Sequence, residues 1–364
     1  MKIASVTTDI VLLPADEPLA GAADNPNGTR PIITATLRTD DGAEGIGVTF
    51  FGAALTRALR TAVDELGALM IGEDPMRPEA IAQKLRDAGG YAGPAGIFTL
   101  ALSALDMALW DIKGKALGLP LWRLLGGAKQ RVPTYASGAL MRGLTQDRAA
   151  ASARRLVETG FREVKMQLAL PGETSPAIEV ARARAIREAV GPETRLMVDI
   201  NQRWRPEQAI DIGRRIEDLN LAWLEDVTVA DDFAGLARVT AALKTPITGG
   251  EYLWGITPFR QMLERHSVDI VMIDLVRVGG ITQWLKVAAM AEAFNLPVVS
   301  HLIPEVHVHL IGAIPNGLTV EYMPWLMRLF EEVPRPDKGE LAMPTKPGLG
   351  LAFDQQAIKR FRAQ

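Results

Sequence analysis

From about residue 130 onward, apolar runs of strand length recur, and nearly every one closes on a single polar residue. The runs are VPTYASG (132–138), FREVKMQLA (161–169), RLMVDIN (195–201), LAWLED (221–226), TPITGG (245–250), VDIVMIDL (268–275), LPVVSHL (296–302) and LTVEYM (318–323). Most are separated by stretches with apolar positions at helical spacing, such as AIEVARARAIREAV (177–190). Strand–helix alternation indicates a parallel sheet, and eight such units fit a closed (β/α)8 barrel better than an open doubly wound sheet. The polar residues at the run ends are Lys165, Asp199, Glu225, Glu251, Asp274, His301 and Glu321. In this fold, catalytic groups stand at the C-terminal ends of different strands.

The first 125 residues read differently. KIASVTTDIVLLP and PIITATLRTDDGAEGIG predict two strands, with Asp40-Asp41-Gly42 as a turn. The Gly-, Asn- and Pro-rich stretch between them, EPLAGAADNPNGTRP, reads as a lid over a site or as a plain surface connection. Residues 54–87 predict helices, and GGYAGPAG breaks the chain before a long apolar helix, FTLALSALDMALWDIKGKALG. Asp106 and Asp111 in that helix are expected to form a structural ion pair or cap. LLGGAKQRVP (124–133) reads as a boundary. The last forty residues are Pro-rich and are expected to fold back as a short hairpin and loop that completes the first domain.

Asp199, Glu225 and Glu251 are each 26 residues apart. Three carboxylates converging on one barrel mouth would repel one another without a cation between them. Oxygen ligands of this kind suit Mg²⁺. Strand period two puts Lys165 and Gln167 on the same side of their strand. His301 lies one strand beyond Asp274, a spacing that suggests a dyad in which the carboxylate orients the imidazole. Asn201 and Asp226 lie next to the ligands and are expected to hydrogen-bond to them or to contact substrate. His307, His309 and His266 read as packing or surface residues. The chain has no cysteine, which excludes disulfides, thiolate zinc sites and a Cys nucleophile. A net charge of −3 carries no footprint for nucleic acid or a polybasic membrane anchor. No run reaches membrane-spanning length and VLLP is too short for a signal-peptide core, so a cytoplasmic protein is the default expectation. No G-x-G-x-x-G or G-x-x-x-x-G-K-[ST] marks a nucleotide fold.

Taken together, ALDMALWDIKGKALGLPLWRLLGG, MVDIN, WLED, TGGE, IDLVRVGGI, SHL, VEY and PTKPGLGL resemble the enolase superfamily, and within it the mandelate racemase subgroup, over nearly the whole chain. VHVHL and the MPTKPGLGL tail are most similar to its acid-sugar dehydratases acting on hexarates such as talarate and galactarate. The resemblance implies an α/β fold: an N-terminal α+β capping domain (1–125), a modified TIM-type (β/α)8 barrel (126–323) and a C-terminal segment (324–364) returning to the cap. It implies one Mg²⁺ per active site on Asp199, Glu225 and Glu251. It also implies abstraction of the proton α to a substrate carboxylate, giving an enediolate held by the metal, with Lys165 as positive help and His301 as base. Glu321 matches a residue that donates a hydrogen bond to the substrate carboxylate, which requires a protonated, raised-pKa carboxyl. The partner implied is a small carboxylate, an acid sugar, and relatives imply a homo-oligomer. Two departures stand out. The subgroup's Lys-x-Lys is here Lys165-Met166-Gln167, so two-base racemisation is lost and a one-base reaction through His301 is expected. Glu-Glu-Pro is here Glu225-Asp226-Val227, which alters the surroundings of a ligand. Dehydration to a 2-keto-3-deoxy acid is the first reading. A cycloisomerase, a lactone-acting enzyme or an epimerase shares the same chemistry. A non-catalytic metal-containing binding protein is the reading from another class, and the His301–Asp274 pair argues against it.

Overall fold

The computed structural model describes residues 1–20, 22–23, 28–172 and 175–363. Ile3–Pro14 runs antiparallel to Thr29–Thr39, with Val11 opposite Ile32. Where two strands were expected there are three. The chain reverses at Asp40-Asp41-Gly42, where Gly42 adopts φ 90° and donates its N–H to Thr39, and Glu44–Thr49 returns along Thr29–Thr39. Glycines weaken the sequence signal of that third strand for a packing reason. A Cβ on Gly47 would stand 1.9 Å from the Ala104 carbonyl oxygen, and one on Gly45 2.2 Å from that of Ala108. Only bare backbone lets helix Gly96–Ala116 lie this close to the strand. Part of the stretch expected as a lid, residues 21 and 24–27, lies outside the described residues.

Helices Thr56–Ala68, Pro78–Gly89 and Gly96–Ala116 cover the sheet. The last is apolar all round because it is buried between sheet and barrel. Its two acids are structural, as expected. Asp106 accepts from the Thr282 backbone N–H (2.9 Å) and hydroxyl (2.5 Å), capping helix Ile281–Ala293. Asp111 pairs with Lys115 (2.7 Å) and accepts from the backbone of Ile46 and Leu349.

All eight predicted barrel strands are present, as Arg131–Leu140, Glu163–Gln167, Arg195–Asp199, Trp223–Glu225, Ile247–Gly249, Ile270–Asp274, Val298–His301 and Val320–Tyr322. They pair in parallel in chain order, and Val320–Tyr322 pairs with Arg131–Leu140. The ring closes through a parallel bridge between Val298 and Gly317. Met197, Trp223, Met272 and Val299 form part of a separate buried cluster with Tyr135 and Ile270. Each of those four stands two residues before a strand-end polar group (Asp199, Glu225, Asp274, His301). Period two therefore turns those four groups to the same side as this cluster, one layer above it.

The C-terminal segment does more than return to the first domain. Glu340–Ala342 pairs antiparallel with the first barrel strand, with Leu341 opposite Val132. The chain then ends in a helix, Gln355–Phe361, rather than a hairpin, and the Ala363 N–H donates to Ile10 at 2.8 Å. Pro-rich sequence hides both elements, because a three-residue strand and a seven-residue helix carry too little periodicity to read.

Candidate active site

The strand ends line a cavity of ≈ 190 Å³ that opens to solvent. Its wall holds Lys165, Gln167, Asp199, Asn201, Glu251, His301 and Glu321 from the predicted set. Register brings several of them side by side. Gln167 is opposite Asp199, Asp199 opposite Glu225, and Asp274 opposite His301. Glu251 stands just past its strand. The chain bends at Gly250 (φ 125°), where a Cβ would meet the Met272 carbonyl oxygen at 2.5 Å.

Lys165 is buried between two carboxylates, 2.5 Å from Glu225 Oε1 and 2.8 Å from Glu321 Oε1. Burial alone would lower its pKa, but Glu225 and Glu321 outweigh burial and hold it well above the usual lysine range. The other Glu225 oxygen accepts from the Trp223 indole N–H at 2.9 Å. Glu321 departs from the expectation of a protonated donor. Burial pushes its pKa up, but Lys165, then His301, then the hydrogen bonds it accepts bring it down to about 2. One of those bonds comes from the Leu302 N–H at 2.6 Å. Ionised Glu321 accepts hydrogen bonds and does not donate one.

His301 forms the expected dyad. Nδ1 lies 2.6 Å from Asp274 Oδ2, while Nε2 lies 3.2 Å from Glu251 Oε2. Burial lowers the imidazole pKa, but Glu251, the Asp274 hydrogen bond and Glu321 reverse this and raise it to about 9. Asp274 also accepts from the Val276 and Arg277 backbone N–H groups. Burial would raise its pKa, yet His301 and Arg277 keep it below the usual carboxylate range.

Glu225, Asp226 and Glu251 each bring a carboxylate oxygen within 4.8 Å of the others. Burial is the largest cause pushing all three pKa values up; Lys165 opposes it at Glu225 and His301 at Glu251, while at Asp226 repulsion from Glu251 and Glu225 adds to it. Asp199 stands beside this trio in the wall. Its Oδ1 accepts from the Asn201 N–H (2.7 Å) and its Oδ2 from the Gln167 amide (3.2 Å). The Gln167 amide also donates to Asn201 (3.0 Å), and its oxygen accepts from the Arg142 N–H (3.3 Å). Both ends of the glutamine are thus committed.

Sequence reading missed Arg142, Tyr252 and Arg277 here. The Arg142 guanidinium donates to Asn201 at 2.5 Å. Arg203, two residues beyond Asn201 and expected with it to bear on substrate choice, is exposed and does not line the cavity. Arg277 stacks on Phe51 (3.9 Å) and Tyr252 (4.8 Å), and donates to the Glu251 carbonyl oxygen at 3.0 Å. Phe51 thereby brings the first domain to the cavity wall. Tyr252 directly follows Glu251, and Arg277 lies three residues past Asp274 in the short helix Leu275–Val278; that nearness in sequence was the one signal available. His266 is exposed at a helix end, and His307 and His309 are buried in helix Pro304–Ala313.

The family model for "Enolase C-terminal domain-like" matches residues 148–357, and that for "Mandelate racemase / muconate lactonizing enzyme, N-terminal domain" matches residues 6–126. The chain is 34% identical to the L-talarate/galactarate dehydratase of Salmonella typhimurium, covering 98% of this chain and 90% of that protein. It is 32% identical to the 3,6-anhydro-alpha-L-galactonate cycloisomerase of Streptomyces coelicolor, covering 98% and 99%. The crystal structure of L-talarate dehydratase from Polaromonas sp. JS666, complexed with Mg and L-glucarate, superposes with TM-score 0.92 at 33% identity, covering 100% of this chain and 98% of that one. With both models matched in order along a capped parallel barrel, the chain belongs to the mandelate racemase / muconate lactonizing enzyme family of the enolase superfamily.

Proposed function

We propose that the protein is a Mg²⁺-dependent lyase that removes the proton α to an acid-sugar carboxylate and expels the β-oxygen, yielding a 2-keto-3-deoxy acid. The observation that carries this reading is a single base. His301 is oriented by Asp274 at 2.6 Å and lines the cavity, whereas Gln167, across the mouth, has no titratable group and both amide ends bonded.

Mg²⁺ fits the donor set. The buried carboxylates of Glu225, Asp226 and Glu251 crowd together, Asp226 Oδ2 has no partner among the described residues, and Asp199 adjoins them. Asp199, Glu225 and Glu251 would hold the ion, which when bound supplies Lewis-acid stabilisation of negative charge developing on the substrate carboxylate.

The chain's own residues do the rest. Asp274 accepts from Nδ1–H and so leaves the Nε2 lone pair facing the cavity. Nε2 takes the α-proton. The C–H electron pair forms the C2=C3 bond as the C3–O bond breaks, and protonated His301 gives its proton to the departing oxygen. Water leaves, and the enol takes a proton at C3 and gives up its C2 hydroxyl proton to solvent to become the keto acid. Lys165, held by Glu225 and ionised Glu321, faces the substrate carboxylate with positive charge. Asn201, and Gln167 through the remaining lone pair of its amide oxygen, bind substrate hydroxyls from the opposite wall. A second reading is supported by the similarity to a cycloisomerase over nearly its whole length. If the leaving oxygen belongs to an anhydro or lactone ring, the same elimination opens the ring without losing water.

The test is a screen of the purified protein with Mg²⁺ against a stereochemically complete set of mono- and diacid sugars, with lactones and anhydro acids included. Keto-acid formation from one member, abolished by EDTA, is the expected result. No keto acid and no solvent exchange at any substrate carbon across the set would overturn the reading.

A further inference from the structure

Asp226 is a buried carboxylate whose orientation the fold arranges at three points. It is 2% exposed, and its Oδ2 has no hydrogen-bond partner among the described residues. In a continuing strand, the residue after Glu225 would point to the opposite face, away from the barrel interior. Asp226 instead adopts φ 43°, a conformation that non-glycine residues seldom take and that clusters at functional sites. The turn is pinned on both sides. Its N–H donates to Thr248 at 2.9 Å, and its carbonyl accepts from the Gln202 N–H at 2.7 Å. The neighbouring strand end also leaves room, since a Cβ on Gly249 would stand 3.2 Å from Asp226 Oδ1. The outcome is an Asp226 oxygen within 4.8 Å of oxygens from Glu225 and Glu251.

Charge pairing leaves this residue out. Lys165 pairs with Glu225, and His301 pairs with both Glu251 and Asp274. Among the described residues no cationic side chain pairs with Asp226. A strained backbone, a glycine that makes room, a buried oxygen without a partner and a carboxylate crowded against two more would be a net cost in a site meant to hold hydrogen bonds alone. They are what a ligand to a cation requires. We propose that Asp226 is a direct oxygen ligand of the divalent cation, a carboxylate additional to those of Asp199, Glu225 and Glu251. The inference rests on the reading that a divalent cation binds here.

The test uses the full-length protein stripped of metal with chelator, and Mn²⁺ as the probe. Free Mn²⁺ is titrated by electron paramagnetic resonance, and the metal-free melting temperature is measured in parallel. Asp226→Asn, nearly isosteric, and Asp226→Ala, which leaves no oxygen, are compared with the unaltered chain. The expected result is Mn²⁺ affinity at least tenfold weaker in Asp226→Ala and several-fold weaker in Asp226→Asn. The metal-free melting temperature of Asp226→Asn is expected to be equal or higher, because a repelling charge has gone. Affinities within twofold of the unaltered chain in both variants would overturn the inference alone. An unaltered chain that binds no Mn²⁺ would overturn it together with the reading it rests on.

Discussion

His301 stands between two carboxylates with different consequences. Asp274 fixes its tautomer, and Glu251 raises its affinity for a proton. Only the neutral imidazole can act as base. With the pKa at about 9 in the metal-free site, kcat/KM should therefore rise with pH along an acid limb set by this group. Asp274→Asn removes a charge that favours the imidazolium, so the limb should move to lower pH by about 1 unit or more while kcat falls roughly 10²-fold. A limb that stays in place would assign it to another group. His301→Asn should abolish keto-acid formation by about 10³-fold or more with Mn²⁺ binding retained, and retained turnover would remove His301 from the role of base. With Gln167 bonded at both ends, proton exchange should be confined to one face. Substrate recovered from D₂O should contain no epimer at the α-carbon, and epimer in the recovered substrate would point to a second base.

The elements show why much of this was legible and why some was not. Strand alternation is a property of sequence. Met197, Trp223, Met272 and Val299 stand two residues before Asp199, Glu225, Asp274 and His301, so a shared inner face could be read directly. Asp226, Arg142 and Tyr252 stand beyond the strand ends, where left-handed turns or loops replace the two-residue period. The turn after His301 is another such place. Leu302 and Ile303 adopt φ 55° and 43°, and a β-branched residue with positive φ is a strained conformation. His307 Nδ1 clamps this turn by bonding the Leu302 carbonyl at 2.6 Å, and the Leu302 N–H is given to Glu321. His307→Leu removes the donor and should let the turn relax, lowering kcat about 10- to 100-fold with KM changed little. His307→Gln, which keeps an N–H donor, should recover much of the loss. Equal kcat for the two variants would mean that the turn holds without the clamp.

Over the whole molecule, the cap, barrel and tail meet on groups that must remain neutral or paired inside the protein. Helix Gly96–Ala116 ties itself to the barrel through Asp106 and to the tail through Asp111. His309, on the last barrel helix, completes the arrangement. Its Nδ1 accepts from the Trp122 N–H at 3.2 Å, and its Nε2 donates to the Leu349 carbonyl at 2.9 Å. Using one nitrogen as acceptor and the other as donor requires the neutral ring. Burial pushes the pKa down to about 4, against about 6.5 in an unfolded chain. A depressed folded pKa means that the unfolded chain binds the proton first. The contribution is present above about pH 6.5 and is lost as pH falls toward 4. His307, also near 4, acts in the same direction, while buried Glu305, raised by burial to about 7, acts in the opposite one between about pH 4.5 and 7. A variant isolates the His309 share from these. His309→Gln can keep both bonds without titrating, so it should narrow the stability difference between pH 7 and pH 5 by about 2 kcal/mol. The measurement is the melting temperature of variant and unaltered chain at the two pH values. An unchanged gap would show that the junction of barrel, cap and tail stays closed with His309 protonated.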